Sequence, residues 1–269
     1  MVYSRFPQVQ LIANRENVGF AQANNQAIAL SSGRYVLLLN SDTEVQPSAL
    51  HLLIEALDDR PRAGAAGPKM LNPDGTFQNS YGALPSVLAE IIGPYLFDFI
   101  TKPWGRLGHR WTSQALKDKD CIKTDRVSFA CTLIRKDALN QIGVLDEIYV
   151  FYSEDYDWFK RLKDAGWEVI FCPQPQVKHI WGASSRQKSE WSLRQLYTSK
   201  RQYYAKHHGR MAETALRAGL IARFTLRIAW ALSTYPLHCE RSAQQAQLYY
   251  RLIQSMCTPF ERRAVSTAI

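Results

Sequence analysis

Residues 35–42 constrain the fold of this chain more than any other segment. Residues 35–39, YVLLL, are apolar without alternation, the pattern of a strand covered on both faces. The run ends in Asn40-Ser41-Asp42. Pro47 then opens a helical stretch to about residue 59, in the place proline tolerates best. A covered strand that delivers a carboxylate and hands over to a helix is a unit of α/β architecture.

The same rhythm runs along the chain. Residues 9–13 read as a short strand, and residues 19–31 as a helix stopped by Gly33. Residues 63–67 are a strand, and the NPDG turn at 72–75 joins two short strands. Residues 126–134 form a strand and 136–142 a helix. Residues 153–165 form a helix with Ser153 as N-cap, acids first, bases last and Gly166 as the stop. Residues 167–171 and 176–180 are strands. The alternation predicts a Rossmann-like, mostly parallel sheet. Beyond Gln187 the pattern turns helical, to about residue 206, then 211–232 and 242–256.

At 269 residues the chain can bury a full core. Its five cysteines include no CxxC pair, which removes zinc-ribbon and thioredoxin-like readings. Cys131 and Cys172 lie in apolar segments and read as buried free thiols, favouring a reducing compartment. The first ten residues lack a signal-peptide core. Residues 87–100 are apolar but are broken by Gly93-Pro94 and carry Glu90 and Asp98, too interrupted to span a bilayer. Charge is uneven: residues 1–181 carry a net −1 and residues 182–269 a net +10. Such a basic region suits an anionic membrane surface, nucleic acid, or merely solvated helix faces.

Three places could carry chemistry. Asp42 follows the buried strand directly, where open α/β sheets bind ligands, and its carboxylate could hold a hard divalent cation or simply start a turn. Glu154, Asp155 and Asp157 open a helix, as general-base candidates or as complements to the helix dipole. His179, in KHIWGASS, is a metal-ligand candidate or a hydrogen-bonded strand residue.

Taken in order, NRENVGFAQANNQAIA (14–29), YVLLLNSD (35–42), VSFACTLIRKDAL (127–139), VLDEIYVFYSEDYDWFKRLKDAGWEV (144–169) and KHIWGASS (178–185) resemble the inverting family-2 glycosyltransferases of the GT-A fold. The likeness is strongest to the rhamnosyltransferase-like branch. It implies a GT-A-like catalytic domain over 1–186, lacking the usual N-terminal nucleoside-binding segment, and a basic helical C-terminal region over 187–269. It implies Asp42 and His179 as ligands of Mg2+ or Mn2+, with Asn40-Ser41-Asp42 standing where the family has a DxD-like motif. Asp155 matches the family's base, beside Glu154. Asn17, Gly19, Asn24, Asn25, Asn40 and Ser41 fall on the donor side; Arg135, Tyr152 and Trp181 fall on the acceptor side. The implied donor is dTDP- or UDP-linked, rhamnose being the sugar the branch suggests. The implied acceptor is a polysaccharide or lipid-linked glycan. Phe129 stands where the family has a small glycine, so acceptor space is expected to differ.

Residues 220–232 mix apolar side chains with Arg223 and Arg227, which suggests a helix lying on an anionic leaflet or packing on the catalytic domain. The expected location is cytoplasmic, at the inner face of the membrane, with no nucleic-acid partner. A second reading is a truncated, inactive relative acting as a peripheral-membrane or assembly partner. Hydrolase, P-loop, zinc-protease and dehydrogenase motifs are absent.

Overall fold

A computed structural model describes residues 2–93, 120–180, 190–233 and 239–258. Short helix α1 (Val2–Arg5) and helix α2 (Phe20–Leu30) precede strand β1 (Tyr35–Leu39), strand β2 (Thr43–Val45) and helix α3 (Ala49–Asp58). Strands β3 (Ala63–Leu71), β4 (Phe77–Gln78) and β5 (Tyr81–Gly82) lead to helix α4 (Val87–Ile92). Strands β6 (Ile122–Thr124), β7 (Arg126–Val127) and β8 (Cys131–Arg135) precede helices α5 (Lys136–Ile142) and α6 (Glu154–Asp164). Strand β9 (Glu168–His179) is followed by helices α7 (Glu190–His207), α8 (Gly209–Ser233) and α9 (Cys239–Cys257).

The main sheet runs β1-β8-β3-β9-β2, with β4 beside β3 and β6 beside β9. It departs from the mostly parallel expectation. Only β3 and β9 pair in parallel among the described strands; β8 runs back between β1 and β3, and β2, β4 and β6 are short returns. Alternation of helices and strands could not reveal this, because pairing direction depends on which strands become neighbours. Residues 9–13 also depart from expectation: they form no strand, and Val9, Leu11 and Ile12 are exposed. Backbone groups in a strand need a paired neighbour, and no described strand lies beside them.

The two strands expected over 167–180 are one. Its register against β3 jumps from Pro68↔Cys172 to Lys69↔Gln176, so Pro173-Gln174-Pro175 bulges out. Prolines lack the N–H that a ladder needs, and a bulge accommodates them. Below the bulge β9 pairs with β6, and above it with β2. Cys172, read as a free thiol, is bonded here to Cys121, whereas Cys131 is free and buried. The spacing of 51 residues held no signal for that bond.

The period of two along each strand divides the core. Val36, Leu38, Ala65, Val169 and Phe171 face α2, α5 and α6, while Leu37, Ala66, Ile170 and Cys172 face α3. Gly67 is required for close approach: a Cβ there would lie 2.5 Å from that of Val127. Phe129 packs among Phe20, Trp158 and Phe159 in the first layer, so it fills core. A third cluster joins α7, α8 and α9 to Tyr149, Ile148 and Ile91. Arg223 and the exposed Arg227 lie along the edge of this cluster, donating to the Glu90 carbonyl and the Tyr249 hydroxyl. No helix among the described residues is long and apolar enough to cross a membrane.

Asp157 joins the helical layer on the sheet to the helical cluster. Its fully buried carboxylate meets His207 Nε2 at 2.7 Å, Lys206 Nζ at 2.6 Å and Arg161 Nε at 2.9 Å. Burial opposes its ionisation, but the His207 and Lys206 hydrogen bonds and the Arg161 charge outweigh it and hold the carboxyl below the ordinary range. Asp157→Ala strands four cationic or polar partners, the Tyr149 hydroxyl among them, and is expected to cost about 3–5 kcal/mol in urea unfolding. Because the folded value is depressed, the carboxylate's contribution is present above about pH 4 and fades only as pH falls through the depressed value.

Candidate active site

The turn after β1 carries Asn40-Ser41-Asp42, and backbone pairing fixes it from both sides. Asn40 N–H donates to the Ala130 carbonyl at 2.9 Å, and Thr43 pairs with His179 across β2 and β9. Ile180 N–H donates to the Asp42 carbonyl at 2.8 Å. The end of β9 is thereby tied to the Asp42 turn. Asp42 Oδ1 and His179 Nε2 lie 3.2 Å apart. His179 is only 6% exposed, and its Nδ1 lies 2.8 Å from Gln78 Oε1 of β4. A carboxylate oxygen and an imidazole nitrogen facing one another suit a shared cation or proton. Among the described residues no cluster of three His, Cys, Asp or Glu forms. A metal held by this pair would therefore complete its shell with phosphate or water oxygens, as Mg2+ usually does.

The second feature is a strained corner. Tyr152 and Ser153 have φ of 67° and 70°. For residues with a Cβ, such conformations cost of order 1–3 kcal/mol each and persist only where surrounding structure imposes them. The constraint here is visible: Ser199 of α7 donates to the Phe151 carbonyl at 2.9 Å, and Asp157 N–H donates to the Ser153 carbonyl at 3.0 Å. Ser153 occupies the N-cap position as expected, but its side chain makes no cap bond, because a left-handed backbone points it elsewhere. Its Oγ is buried without a partner, as is Glu154 Oε2.

Glu154 and Asp155 follow at the start of α6. Burial, then the neighbouring Asp155 charge, pushes the Glu154 carboxyl up to about 8. Burial also raises Asp155, against the pull of the Arg126 guanidinium and its bond from Tyr156 N–H at 2.8 Å. Arg126 itself lies over the Tyr156 ring at 5.2 Å. Tyr152 is part-exposed and stacks edge-on against Phe151.

The remaining candidates divide. Asn17 Oδ1 accepts from Gly19 N–H at 3.0 Å, and Gly19, with φ +85°, sets the start of α2 close to the Val150 carbonyl. Asn24 donates to the Phe20 carbonyl within its own helix. Asn25 is committed elsewhere: it donates to the Leu145 carbonyl and Glu147 Oε1 and accepts from Leu145 N–H, clamping that loop. Arg135 does not reach the site. It pairs with Tyr35 at the end of β1 away from Asp42, and its guanidinium donates to the carbonyls of Leu57, Arg60 and Ala63. Trp181 lies outside the described residues. Gln78 was missed; its only signal was its place after the NPDG turn.

The sequence matches the family model for glycosyl transferase family 2 over residues 2–143. It is 29% identical over 242 residues to the N-acetylglucosaminyl-diphospho-decaprenol L-rhamnosyltransferase of Mycobacterium tuberculosis, covering 83% of this chain and 75% of that protein. It is 31% identical over 169 residues to the O-antigen biosynthesis protein RfbC of Myxococcus xanthus, covering 61% of this chain and 12% of that one. The crystal structure of GalNAc-T7 with UDP, GalNAc and Mn2+ is similar at a TM-score of 0.50 and 14% identity, over 76% of this chain and 40% of that one. The fold is that of GT-A glycosyltransferases.

The raised Glu154 carboxyl has a thermodynamic signature. The unfolded chain ionises it near the ordinary glutamate value, about 4.3, before the folded chain does. Folding stability attributable to this group therefore falls as pH rises from that value towards about 8. Glu154→Gln is expected to flatten the decline, measured as urea midpoints from pH 5 to 9. An unchanged slope would show that Glu154 ionises freely in the folded protein.

Proposed function

The chain belongs to glycosyl transferase family 2, and on that premise we propose that it transfers a sugar from a nucleotide-linked donor to a glycan or lipid-linked acceptor. The observation that carries the proposal is the approach of Asp42 and His179 at 3.2 Å, from elements far apart in sequence. Asp42 and His179 hold a divalent cation on this reading. When bound, Mg2+ or Mn2+ supplies positive charge to the departing diphosphate. The presence of Mn2+ and UDP in the GalNAc-T7 structure is in keeping with such a site.

Asp155 takes the proton from the acceptor hydroxyl as that oxygen attacks the anomeric carbon from the face opposite the leaving group, with inversion. Its enclosure raises its proton affinity, and Arg126 keeps the ionised form accessible. The strained corner fixes the base's direction, since Tyr152 and Ser153 set the first turn of α6. Tyr152 offers a ring face to the acceptor sugar. The donor lies on the side of Asn17, Gly19, Asn40 and Ser41. Rhamnose as the sugar and a lipid-linked glycan as acceptor are supported by the mycobacterial relative, a rhamnosyltransferase whose name specifies a decaprenol-linked substrate, and the donor on this reading is dTDP- or UDP-linked. Exposed Leu226, Trp230 and Leu232 on α8, with the net +10 of residues 182–269, support contact with an anionic inner membrane surface.

Two measurements test this. Calorimetric titration with dTDP, UDP and GDP, with and without Mn2+, is expected to give metal-dependent binding of one nucleotide, lost in Asp42→Ala. Binding of none of them by folded protein would favour the inactive assembly-partner reading. Asp155→Asn is expected to lower transfer by about 10²–10⁴ while leaving nucleotide binding unchanged. Undiminished transfer would remove Asp155 as the base.

A further inference from the structure

The hairpin between β3 and β4 carries a chain of side-chain hydrogen bonds whose directions can all be assigned. Asp74 is an exposed carboxylate, so at neutral pH it can only accept. It accepts from the Thr76 hydroxyl at 2.6 Å and from Thr76 N–H at 2.9 Å. With its proton committed to Asp74, the Thr76 oxygen is an acceptor, and Asn72 Nδ2 donates to it at 2.9 Å. That fixes the Asn72 amide, leaving its Oδ1 to accept from Gln78 Nε2 at 3.1 Å. The Gln78 amide is thereby fixed in turn, and its Oε1 faces His179 Nδ1 at 2.8 Å. A carbonyl oxygen needs a donor, so Nδ1 carries the hydrogen. In the neutral imidazole the lone pair is then on Nε2, facing Asp42 Oδ1 at 3.2 Å, and two acceptors so placed need a cation or a second proton between them.

We propose that the Asp74–Thr76–Asn72–Gln78 chain is a positioning relay that sets the tautomer of His179 and presents its Nε2 lone pair beside Asp42, as a metal ligand requires. The use of that lone pair rests on the metal site proposed above; the tautomer does not. The relay explains why Gln78, on a two-residue strand, is tied into the hairpin from one side and to a nearly buried histidine from the other. Metal-ligating histidines characteristically donate their other ring nitrogen to such a partner, whose loss weakens metal binding by about 10–100-fold. Gln78 touches neither substrate nor cation on this reading; it acts through His179.

The test has two readouts on the full chain. Long-range 15N–1H correlation of the imidazole is expected to show Nδ1 of His179 protonated in the parent, as the Nδ1–H tautomer once a cation occupies the Asp42 side. In Gln78→Leu this preference is expected to be lost, and in Thr76→Val, which frees Asn72 to turn, to be weakened. Titration with Mn2+ alone, followed by the free-ion electron paramagnetic resonance signal, is expected to show roughly 10–100-fold weaker binding by Gln78→Leu. Gln78→Glu, which keeps an acceptor at Nδ1, is expected to restore binding. An Nε2–H tautomer in the parent, or an Nδ1–H tautomer that survives Gln78→Leu, would overturn the relay whatever the metal does. Parent-like Mn2+ affinity in a folded Gln78→Leu protein would also overturn it. A parent that binds no Mn2+ but whose Nδ1–H tautomer depends on Gln78 would sink the metal site and uphold the relay.

Discussion

The parallel pairing of β3 with β9 is the constraint on which the rest of the site depends. It places a twelve-residue strand in the interior of the sheet, and the proline bulge divides that strand into two halves with different neighbours. The lower half pairs with β6 and carries core side chains to both faces. The upper half pairs with β2, and this brings His179 opposite Thr43, one residue from Asp42. The same half runs beside the end of β3, whose hairpin supplies Gln78. Moving β9 by one residue against β3 would flip His179 to the other face, so the Asp42–His179 approach and the relay depend on one register.

The proposed base is held by different means. The α6 start has no regular strand behind it, and its backbone enters through two consecutive left-handed residues. Helix α7 stabilises that conformation through Ser199 at one side of the corner, and through Lys206 and His207 on Asp157 one turn into α6. The C-terminal helices thus bear on the catalytic layer at the point where strain is stored. Tyr149, buried in the helical cluster while donating towards Asp157, joins the two packing units.

Much of this was legible in the sequence, for identifiable reasons. The unbroken apolar run at 35–39 announced a strand covered on both faces, and the side chains do divide between the two helical layers. Gly166 marked a helix end because the backbone geometry there depends on the residue type itself, whereas Pro47, read as the first helical residue, lies just before the N-cap Ser48. Strand direction, by contrast, is a property of non-local neighbours. Arg135 shows the same limit: being next to a conspicuous strand says nothing about which end of the sheet that strand's last residue meets. Asn25 has a donor-like composition around it, yet its amide is saturated by a loop 120 residues away. The Cys121–Cys172 bond and the strain at Tyr152 and Ser153 likewise come from tertiary closure. Gln78 lay just after the NPDG turn, in a stretch read only as a short strand.

Charge balance links the two halves. On the proposed reading the cation has one carboxylate ligand, Asp42, and one neutral imidazole, because Asn40 stands where a second acid could have been. A divalent ion so held keeps about one unit of positive charge uncompensated, and in a part-buried site that charge is strongly felt. A diphosphate is the natural complement, so metal and nucleotide each favour the other's binding. The acids stand instead at α6, where burial raises both Glu154 and Asp155 and the Asp155 charge raises Glu154 further. On this reading one end is short of negative charge and the other holds carboxyls of raised proton affinity. A reaction that drives off an anionic leaving group while removing a proton from the attacking hydroxyl needs that separation.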